Sequence, residues 1–191
     1  MGKSAWLKRE IAHDRRVVVW DMKNEYAAGA ACTAVYKITD LIARLESRGS
    51  SSGRFALVSS SVSQFDLFCR VAYKWGEWGG VTVVAEELAD VTSPGKAPLG
   101  WGMVLRRGRE VGLTVYGVTQ RPAESDKTIL GNYTRIHCTR LKRAEDRVKM
   151  AREMGVSVAV LDALPPLSWI ECTDAGEITT GKLTFKNPRN A

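Results

Sequence analysis

The chain has 191 residues, with 28 lysines and arginines against 21 aspartates and glutamates, so its formal charge is 28 − 21 = +7. The composition, 45% hydrophobic and 26% charged, excludes collagen-like, coiled-coil and wholly disordered proteins. The length predicts a single domain over 1–191, with a motif-bearing core at 1–140 and a helix and hairpin extension at 141–191. The positive charge favours phosphate-rich partners such as nucleic acid or an anionic membrane.

The cysteines and the hydropathy pattern together indicate where the protein is located. The four cysteines are widely separated, and only two histidines accompany them, so no zinc site has a usual ligand spacing. We expect these cysteines to be reduced and mostly buried. No apolar run approaches the roughly 18 residues that cross a bilayer, and the amino terminus lacks a secretory signal. The sequence therefore predicts a cytoplasmic protein without a transmembrane segment.

Short β-branched runs alternate with longer amphipathic segments, which predicts an α/β fold with a parallel sheet. A helical pattern at 5–12 comes first. The predicted strands are 17–20, 55–59, 81–85, 113–118 and 135–139. The predicted helices that follow them are 33–47, 62–75, 99–111, 123–130 and 142–154. A terminal hairpin is predicted from 169–172 and 178–185, and residues 186–191 are expected to be frayed. In the predicted helix at 62–75, four apolar residues at helical spacing form one stripe that is expected to pack in the core. They are Phe65, Phe68, Ala72 and Trp75.

The first candidate site is at the amino terminus, where Gly2, Lys3 and Ser4 precede a helix. These residues match the last third of a phosphate loop, G-x-x-x-x-G-K-[ST]. In such a loop, backbone N–H groups hold phosphates, the lysine reaches the outer phosphates and the hydroxyl binds Mg²⁺. The first glycine and the preceding strand are absent from this chain. A G-K-S tripeptide is also an ordinary helix start, so other residues must decide between the two interpretations.

Two carboxylates, Glu86 and Glu87, directly follow the apolar strand at 81–85. Nucleotide hydrolysis uses one carboxylate near Mg²⁺ and another that orients or deprotonates the attacking water. The end of a strand beside a phosphate loop can present both. The alternative is that two adjacent glutamates only solvate the end of a buried strand.

Two further strands end in polar residues. Gln120 and Arg121 follow the strand at 113–118, where a glutamine can contact a γ-phosphate or hold the lytic water. The alternative is a simple turn set by Pro122. Asp21 and Lys23 follow the strand at 17–20 and are expected to line the same crevice at the carboxyl ends of the strands.

The motifs GKS, WDMKNEY, AEELADV and GVTQRP occur in this order, and together they resemble those of the HerA/FtsK superfamily of DNA-pumping P-loop ATPases. The resemblance extends from residue 2 to about residue 140. It implies a RecA-like P-loop NTPase core, with a mostly parallel sheet flanked by helices and a C-terminal β-hairpin. In that fold the first strand and the start of the phosphate loop would be missing from this chain. We expect the true phosphate loop to begin upstream of Met1, and sequencing the amino terminus of the native protein tests this.

The resemblance also implies ATP and Mg²⁺ as cofactors and a role for each motif residue. Gln120 corresponds to the sensor glutamine, and Glu87 to the residue that activates water. Glu86 takes the Walker B position beside the metal, where the family usually has the shorter aspartate, so the metal would be held through a longer arm or through water. The residues implied in nucleotide binding are Gly2, Lys3, Ser4, Asp21 and Lys23, with Ser4 also a metal ligand.

Members of this superfamily work as rings, usually hexamers, in which an arginine of a neighbour completes the site. The candidate arginine fingers are Arg106, Arg107, Arg109 and Arg121, and each is alternatively a solvated surface charge. The implied partner is double-stranded DNA, held through its phosphates without base specificity. The small core is similar to the genome-packaging ATPases of tailless, membrane-containing phages, which implies a role in the host cytoplasm and a capsid-vertex or portal protein as a further partner.

Three alternatives remain at this point. A Zot-type filamentous-phage assembly ATPase shares the GKS and WDPKGEY-like motifs but generally lacks TQRP. Cellular FtsK-like and HerA-like translocases carry additional domains for which this chain has no room. In a different class, a non-hydrolysing DNA-binding or ring-scaffold protein with a degenerate phosphate loop would fit the incomplete GKS motif and the unusual Glu86.

Overall fold

The computed structural model describes residues 2–184. The chain divides into two compact units, a larger one of Leu7–Asn132 and a smaller one of Met1–Trp6 with Tyr133–Ala191. Helix α1 (Lys3–Glu10) begins in the smaller unit and ends in the larger one. Within residues 2–184, no helix is long and apolar enough to span a membrane. The end of the predicted hairpin and the predicted frayed segment, 185–191, lie outside the described residues.

The larger unit contains a five-stranded parallel sheet with the strand order β2-β3-β1-β4-β5. Its strands are β1 (Arg16–Trp20), β2 (Thr33–Val35), β3 (Gly53–Leu57), β4 (Val81–Ala85) and β5 (Leu113–Gly117). Its helices after α1 are α2 (Glu25–Ala28), α3 (Ile38–Arg48), α4 (Val62–Gly76), α5 (Leu88–Val91), α6 (Leu99–Arg107), a 3-10 helix (Gly108–Val111) and α7 (Lys127–Leu130). This mostly parallel α/β architecture is the predicted one.

The smaller unit is an antiparallel sheet with two helices. Its strand order is β6-β7-β8. Its elements after α1 are β6 (Arg135–Thr139), α8 (Ala144–Met154), α9 (Val158–Asp162), β7 (Ser168–Thr173) and β8 (Ile178–Lys182). The predicted terminal hairpin is therefore present as β7 and β8.

The core of the larger unit lies on the central strands of its sheet. Every residue of β1 and β4 is buried, as expected for apolar strands covered on both faces. The apolar stripe predicted for α4 is buried as a whole, and its Phe65 lies 5.3 Å from the ring of Trp20 and 5.7 Å from that of Trp101, between centroids. The four cysteines are buried and free, which confirms that prediction.

Several predicted elements were wrong in part. The segment at 135–139 is not a strand of the parallel sheet, because β6 pairs antiparallel with β7. The helix predicted at 33–47 is two elements, the edge strand β2 and helix α3. The helix predicted at 123–130 is reduced to α7, which begins where Asp126 accepts hydrogen bonds from the backbone N–H groups of Thr128 and Ile129. The short helices α2, α5 and α9 were not predicted.

Arg16 connects three segments at the amino edge of the parallel sheet. Its guanidinium donates to the carbonyl oxygens of Gly49 at 3.0 Å and Trp75 at 2.8 Å, and also to that of Gly79. It lies 4.3 Å from the centre of the Trp75 ring, which is a cation–π geometry. Burial lowers the pKa of Arg16 from its ordinary value. One buried cation thus holds three chain segments through backbone carbonyl groups.

Candidate active site

In the parallel sheet, the strands that precede the predicted polar residues end side by side. Trp20 pairs with Ala85, and Ala85 pairs with Gly117. The residues that follow these strand ends are Asp21, Glu86 and Val118, and the N–H of Glu86 donates to the carbonyl of Trp20 at 3.2 Å. The carboxyl ends of β1, β4 and β5 therefore form one edge, as is general for ligand sites in open parallel sheets.

Glu86 is buried at this edge, with 7% of its surface exposed. Its Oε1 accepts a hydrogen bond of 2.8 Å from the hydroxyl of Tyr26, which is itself fully buried. Burial, followed by the charge of Glu86, raises the pKa of Tyr26 well above its ordinary value. Glu86 is therefore a buried carboxylate with a dedicated donor and does not solvate the end of the strand.

Glu87 has the left-handed backbone conformation, with φ 50° and ψ 50°, which is uncommon for residues other than glycine. Its carboxylate forms an ion pair with the ammonium of Lys23 and accepts a hydrogen bond of 2.8 Å from Nε2 of Gln120. Its side chain is only 14% exposed. The hydrogen bond to Glu87 is the main cause that raises the pKa of Lys23. A strained backbone and two polar neighbours thus orient this carboxylate, a pattern found at functional sites.

Asp21 has 1% of its surface exposed, and it binds backbone groups of the following helix. Its Oδ1 accepts from the N–H of Glu25 at 2.8 Å, and its Oδ2 accepts from those of Tyr26 at 2.9 Å and Ala27 at 3.2 Å. These N–H groups belong to the first turn of α2, which has no intrahelical acceptors for them. These hydrogen bonds give Asp21 a structural role, and its nucleotide-binding role stays a prediction.

The loop after β5 carries Gln120 and Arg121 and is closed by its own polar side chains. The hydroxyl of Thr119 accepts from the N–H of Arg121 at 3.0 Å and from the hydroxyl of Ser125 at 3.1 Å. The guanidinium of Arg121 pairs with Glu124. This loop places Gln120 against Glu87, so it is more than the turn that Pro122 alone would set.

The four candidate arginine fingers lie at two different places in the larger unit. Arg121 is at the carboxyl edge, in the loop with Gln120. The other three, Arg106, Arg107 and Arg109, are exposed near the end of α6 and in the 3-10 helix. That 3-10 helix leads directly into the first residue of β5, which is the amino edge of the sheet. Only Arg121 therefore shares an edge with the carboxylates.

Gly2, Lys3 and Ser4 belong to the smaller unit. Gly2 has a φ of 127°, a conformation that glycine adopts without strain, and α1 begins at the next residue. The Trp6 ring stacks on that of His137 in β6, with 3.8 Å between ring centroids. His137 Nδ1 is 2.7 Å from an oxygen of Glu171 in β7. The predicted phosphate-binding turn is thus anchored on the antiparallel sheet through Trp6.

Tyr26 is the site residue that the sequence analysis missed. It is the last residue of the WDMKNEY motif, but no role was given to it. The available signal was a tyrosine five residues after an aspartate that directly follows a strand. A buried tyrosine hydroxyl needs a hydrogen-bond partner, and here that partner is Glu86.

The raised pKa of Tyr26 gives a testable result in alkali. A tyrosine whose pKa is higher in the folded than in the unfolded chain stabilises the fold fully below about pH 10, and this contribution is lost as pH rises further. We expect Tyr26→Phe and the native protein to have the same phenolate absorbance at about pH 11 while folded, and to differ by one tyrosine once unfolded. If Tyr26→Phe lost the same phenolate absorbance in the folded as in the unfolded protein, the burial of Tyr26 against Glu86 would be contradicted.

Comparisons with known proteins address both the fold and the family. The fold is that of the genome packaging NTPase B204 of Sulfolobus turreted icosahedral virus 2, solved in complex with AMPPCP, with a TM-score of 0.78, 11% identity, and coverage of 96% of this chain and 90% of that one. B204 of Sulfolobus turreted icosahedral virus, described as a DNA-packaging ATPase, has a TM-score of 0.77, 14% identity, and coverage of 96% and 93%. The N-terminal domain of zonular occludens toxin from Neisseria meningitidis has a TM-score of 0.50, 14% identity, and coverage of 97% and 88%.

The family assignment comes from sequence. No protein-family model matches the chain. Protein P9 of Pseudoalteromonas phage PM2 is 31% identical over 166 residues, which cover 85% of this chain and 74% of P9. This level of identity over most of both chains establishes common ancestry, and the fold is that of P-loop packaging NTPases. The chain therefore belongs to the family of protein P9 of Pseudoalteromonas phage PM2.

Proposed function

We propose that this protein is an ATPase that drives double-stranded DNA into a phage capsid. The observation that carries the proposal is the paired carboxylates at the carboxyl end of β4, with Glu86 buried against Tyr26 and Glu87 held between Lys23 and Gln120. The fold supports the proposal, because the two structures above with TM-scores of 0.78 and 0.77 are a genome packaging NTPase and a DNA-packaging ATPase. In this reaction Glu87 accepts the proton of the attacking water, and Gln120 senses the γ-phosphate.

The phosphates of ATP are assigned to the amino-terminal turn. The backbone N–H groups after Gly2 and the start of α1 would attract phosphate, Lys3 would contact the β- and γ-phosphates, and the Ser4 hydroxyl would be a ligand of Mg²⁺. Asp21 and Lys23 lie in the loop after β1, and we assign this loop to the nucleotide site as its support.

The residues present fit Mg²⁺. Among residues 2–184, no group of three or more histidine, cysteine or acidic side chains forms a self-contained metal site, whereas Mg²⁺ is usually held by one or two carboxylates together with substrate phosphates. Glu86 would supply such a carboxylate. Bound Mg²⁺ would neutralise the charge that develops on the phosphate oxygens.

DNA and a ring of subunits complete the proposal. The charge of +7 suits a pore that follows a DNA backbone through its phosphates. The candidate arginine fingers from a neighbouring subunit are the same four as before, Arg106, Arg107, Arg109 and Arg121. We further propose a hexamer that acts in the host cytoplasm and docks on a capsid vertex or portal protein.

Two alternatives are weaker. A Zot-type assembly ATPase has the lower fold similarity, with a TM-score of 0.50 against 0.78. A non-hydrolysing scaffold does not require an oriented Glu87, yet both Lys23 and Gln120 hold this carboxylate. HerA-like and FtsK-like cellular translocases share the motifs, and they differ from the packaging motor in their additional domains and in the DNA that they move in the cell.

The test is ATP turnover by the native full-length protein, measured with and without double-stranded DNA. We expect turnover that DNA stimulates. Lys3→Ala should weaken the binding of a fluorescent ATP analogue by about tenfold or more, because a charge-assisted contact to phosphate is lost. Lys74→Ala is the matched control, since this lysine is 70% exposed and pairs with Glu77 on α4. DNA binding without any turnover would refute the ATPase and favour the scaffold.

A further inference from the structure

We propose that the loop from Asp21 to Tyr26 is a positioning device for both carboxylates at the end of β4, in which Tyr26 holds Glu86 and Lys23 holds Glu87. This inference rests on the proposed function, because it concerns the roles of those carboxylates in hydrolysis. In this proposal the residues of the WDMKNEY motif hold Glu86 and Glu87 in place, whereas the sequence analysis expected them to contact the nucleotide.

The loop is anchored at both of its ends. Its first residue, Asp21, follows β1 directly, and its N–H donates to the carbonyl of Leu57 in β3 at 3.0 Å. Both oxygens of the same carboxylate then bind the N–H groups of Glu25, Tyr26 and Ala27. One buried side chain therefore fixes the start of α2 relative to the end of β1, and hydrogen bonds to a charged acceptor are among the stronger ones.

The anchored loop sends two side chains to neighbouring carboxylates. Asn24 has a left-handed backbone, with φ 56°, and it separates Lys23 from the helix that carries Tyr26. Lys23 therefore reaches Glu87, while Tyr26 reaches Glu86, although the two glutamates are consecutive residues directly after β4. The left-handed backbone of Glu87 ends the extended run of the strand, and each carboxylate has its own donor on the loop.

The Lys23 contact is the part that a phosphate-binding interpretation does not explain. The lysine is paired with Glu87, and Gln120 donates to the same carboxylate oxygen, Oε1. These two donors select one orientation of a side chain whose backbone is already strained. A proton acceptor must be held in a narrow range of geometry to act on water, and this arrangement provides that restraint before any nucleotide binds.

The first experiment measures kcat and KM for ATP in the presence of DNA, for full-length native protein, Lys23→Met and Lys23→Arg. A positioning role predicts that Lys23→Met lowers kcat by about 10–100-fold with KM changed less than about threefold, and that Lys23→Arg restores most of kcat because a cation is retained. A rise in KM at unchanged kcat would overturn the proposal, since it would make Lys23 a nucleotide contact. An increase in kcat would also overturn it.

The second experiment needs no turnover. Amide hydrogen exchange in the nucleotide-free protein reports on the N–H groups of Glu25, Tyr26 and Ala27, and Asp21→Asn should accelerate their exchange by about tenfold or more because the charged acceptor is lost. Unchanged exchange of these amides in Asp21→Asn would overturn the proposal that Asp21 anchors the loop. Asp40→Asn, at an exposed position of α3, is the control that should leave these three amides unaffected.

Tyr26→Phe isolates the hydroxyl from the ring. It removes the donor to Glu86 but keeps the buried aromatic group, so the fold should persist, as thermal unfolding will show. We expect kcat to fall by about tenfold, and the Mg²⁺ concentration for half-maximal binding of a fluorescent ATP analogue to rise by about threefold or more. Full activity with unchanged Mg²⁺ dependence would refute the role of Tyr26. A native protein without turnover would instead refute the proposed function, while the amide exchange result would still stand.

Discussion

We expect Glu87→Gln to lose DNA-stimulated ATP turnover by a factor of about 10²–10⁴, the usual contribution of a positioned general base. Glutamine keeps the shape of the side chain but removes the charge and the proton acceptor. ATP affinity should change little, because the phosphates are assigned to the amino-terminal turn. The left-handed backbone at this position is retained as well, so the thermal unfolding midpoint should stay close to that of the native protein.

The control for this substitution is Glu77→Gln. Glu77 is the residue that follows α4, and its side chain is 38% exposed and pairs with Lys74. Its replacement removes the same charge from the chain without touching the carboxyl edge of the sheet, so turnover should remain within about twofold of native, since an exposed ion pair contributes little to stability. Turnover by Glu87→Gln at the level of this control would mean that another group accepts the proton.

The largest expected effect on stability comes from Gly100→Ala. Gly100 is in the first turn of α6, where its N–H donates to a carboxylate oxygen of Asp66 in α4. A methyl group there would overlap the backbone carbonyl oxygen of Asp66, which cannot rotate away as a side chain would. Overpacking of this kind costs about 1–3 kcal/mol, so the unfolding midpoint should fall by roughly 2–12 °C in thermal denaturation.

Gly102→Ala is the matched control in the same helix. A methyl group at Gly102 would approach Nη2 of Arg106 at 2.6 Å, but this is the end of a long exposed side chain that can move. The substitution also gains up to about 1 kcal/mol of helix propensity. We therefore expect the Gly102→Ala protein to be within about 1 kcal/mol of native. Equal destabilisation by both substitutions would contradict the close approach of α4 and α6 at Gly100.

The parts of the fold that the sequence predicted well are those with the strongest hydrophobic pattern. Strands β1 and β4 are mostly apolar and are buried on both faces. Strand β2 has only three residues at the edge of the sheet, too few to be distinguished from the amphipathic helix after it. Strand β6 alternates between buried and more exposed residues, which is typical of an antiparallel strand with one solvated face, and this signal was not used.

The candidate site was predictable where residues directly follow strands, because parallel strands end at one edge. Glu86, Glu87 and Gln120 were found in this way. The ion pair of Lys23 with Glu87 and the bond of Tyr26 to Glu86 depend on a loop whose path is set by backbone N–H groups bound to Asp21. Such side-chain-to-backbone bonds have no hydrophobic period, so a sequence pattern shows the residues but not the partners. The roles of Glu86, Glu87 and Gln120 remain predictions, as do those of Lys3, Ser4 and the arginines.

The contacts of Arg16 also have a consequence for the order in which the chain folds. Its carbonyl partners lie 33 to 63 residues further along the sequence, so its charge can leave water only after the central strands and α4 have come together. Contacts of such long sequence separation form slowly. We expect substitutions of Arg16 to accelerate unfolding while leaving the refolding rate nearly unchanged, which is the behaviour of a residue whose interactions form after the folding transition state.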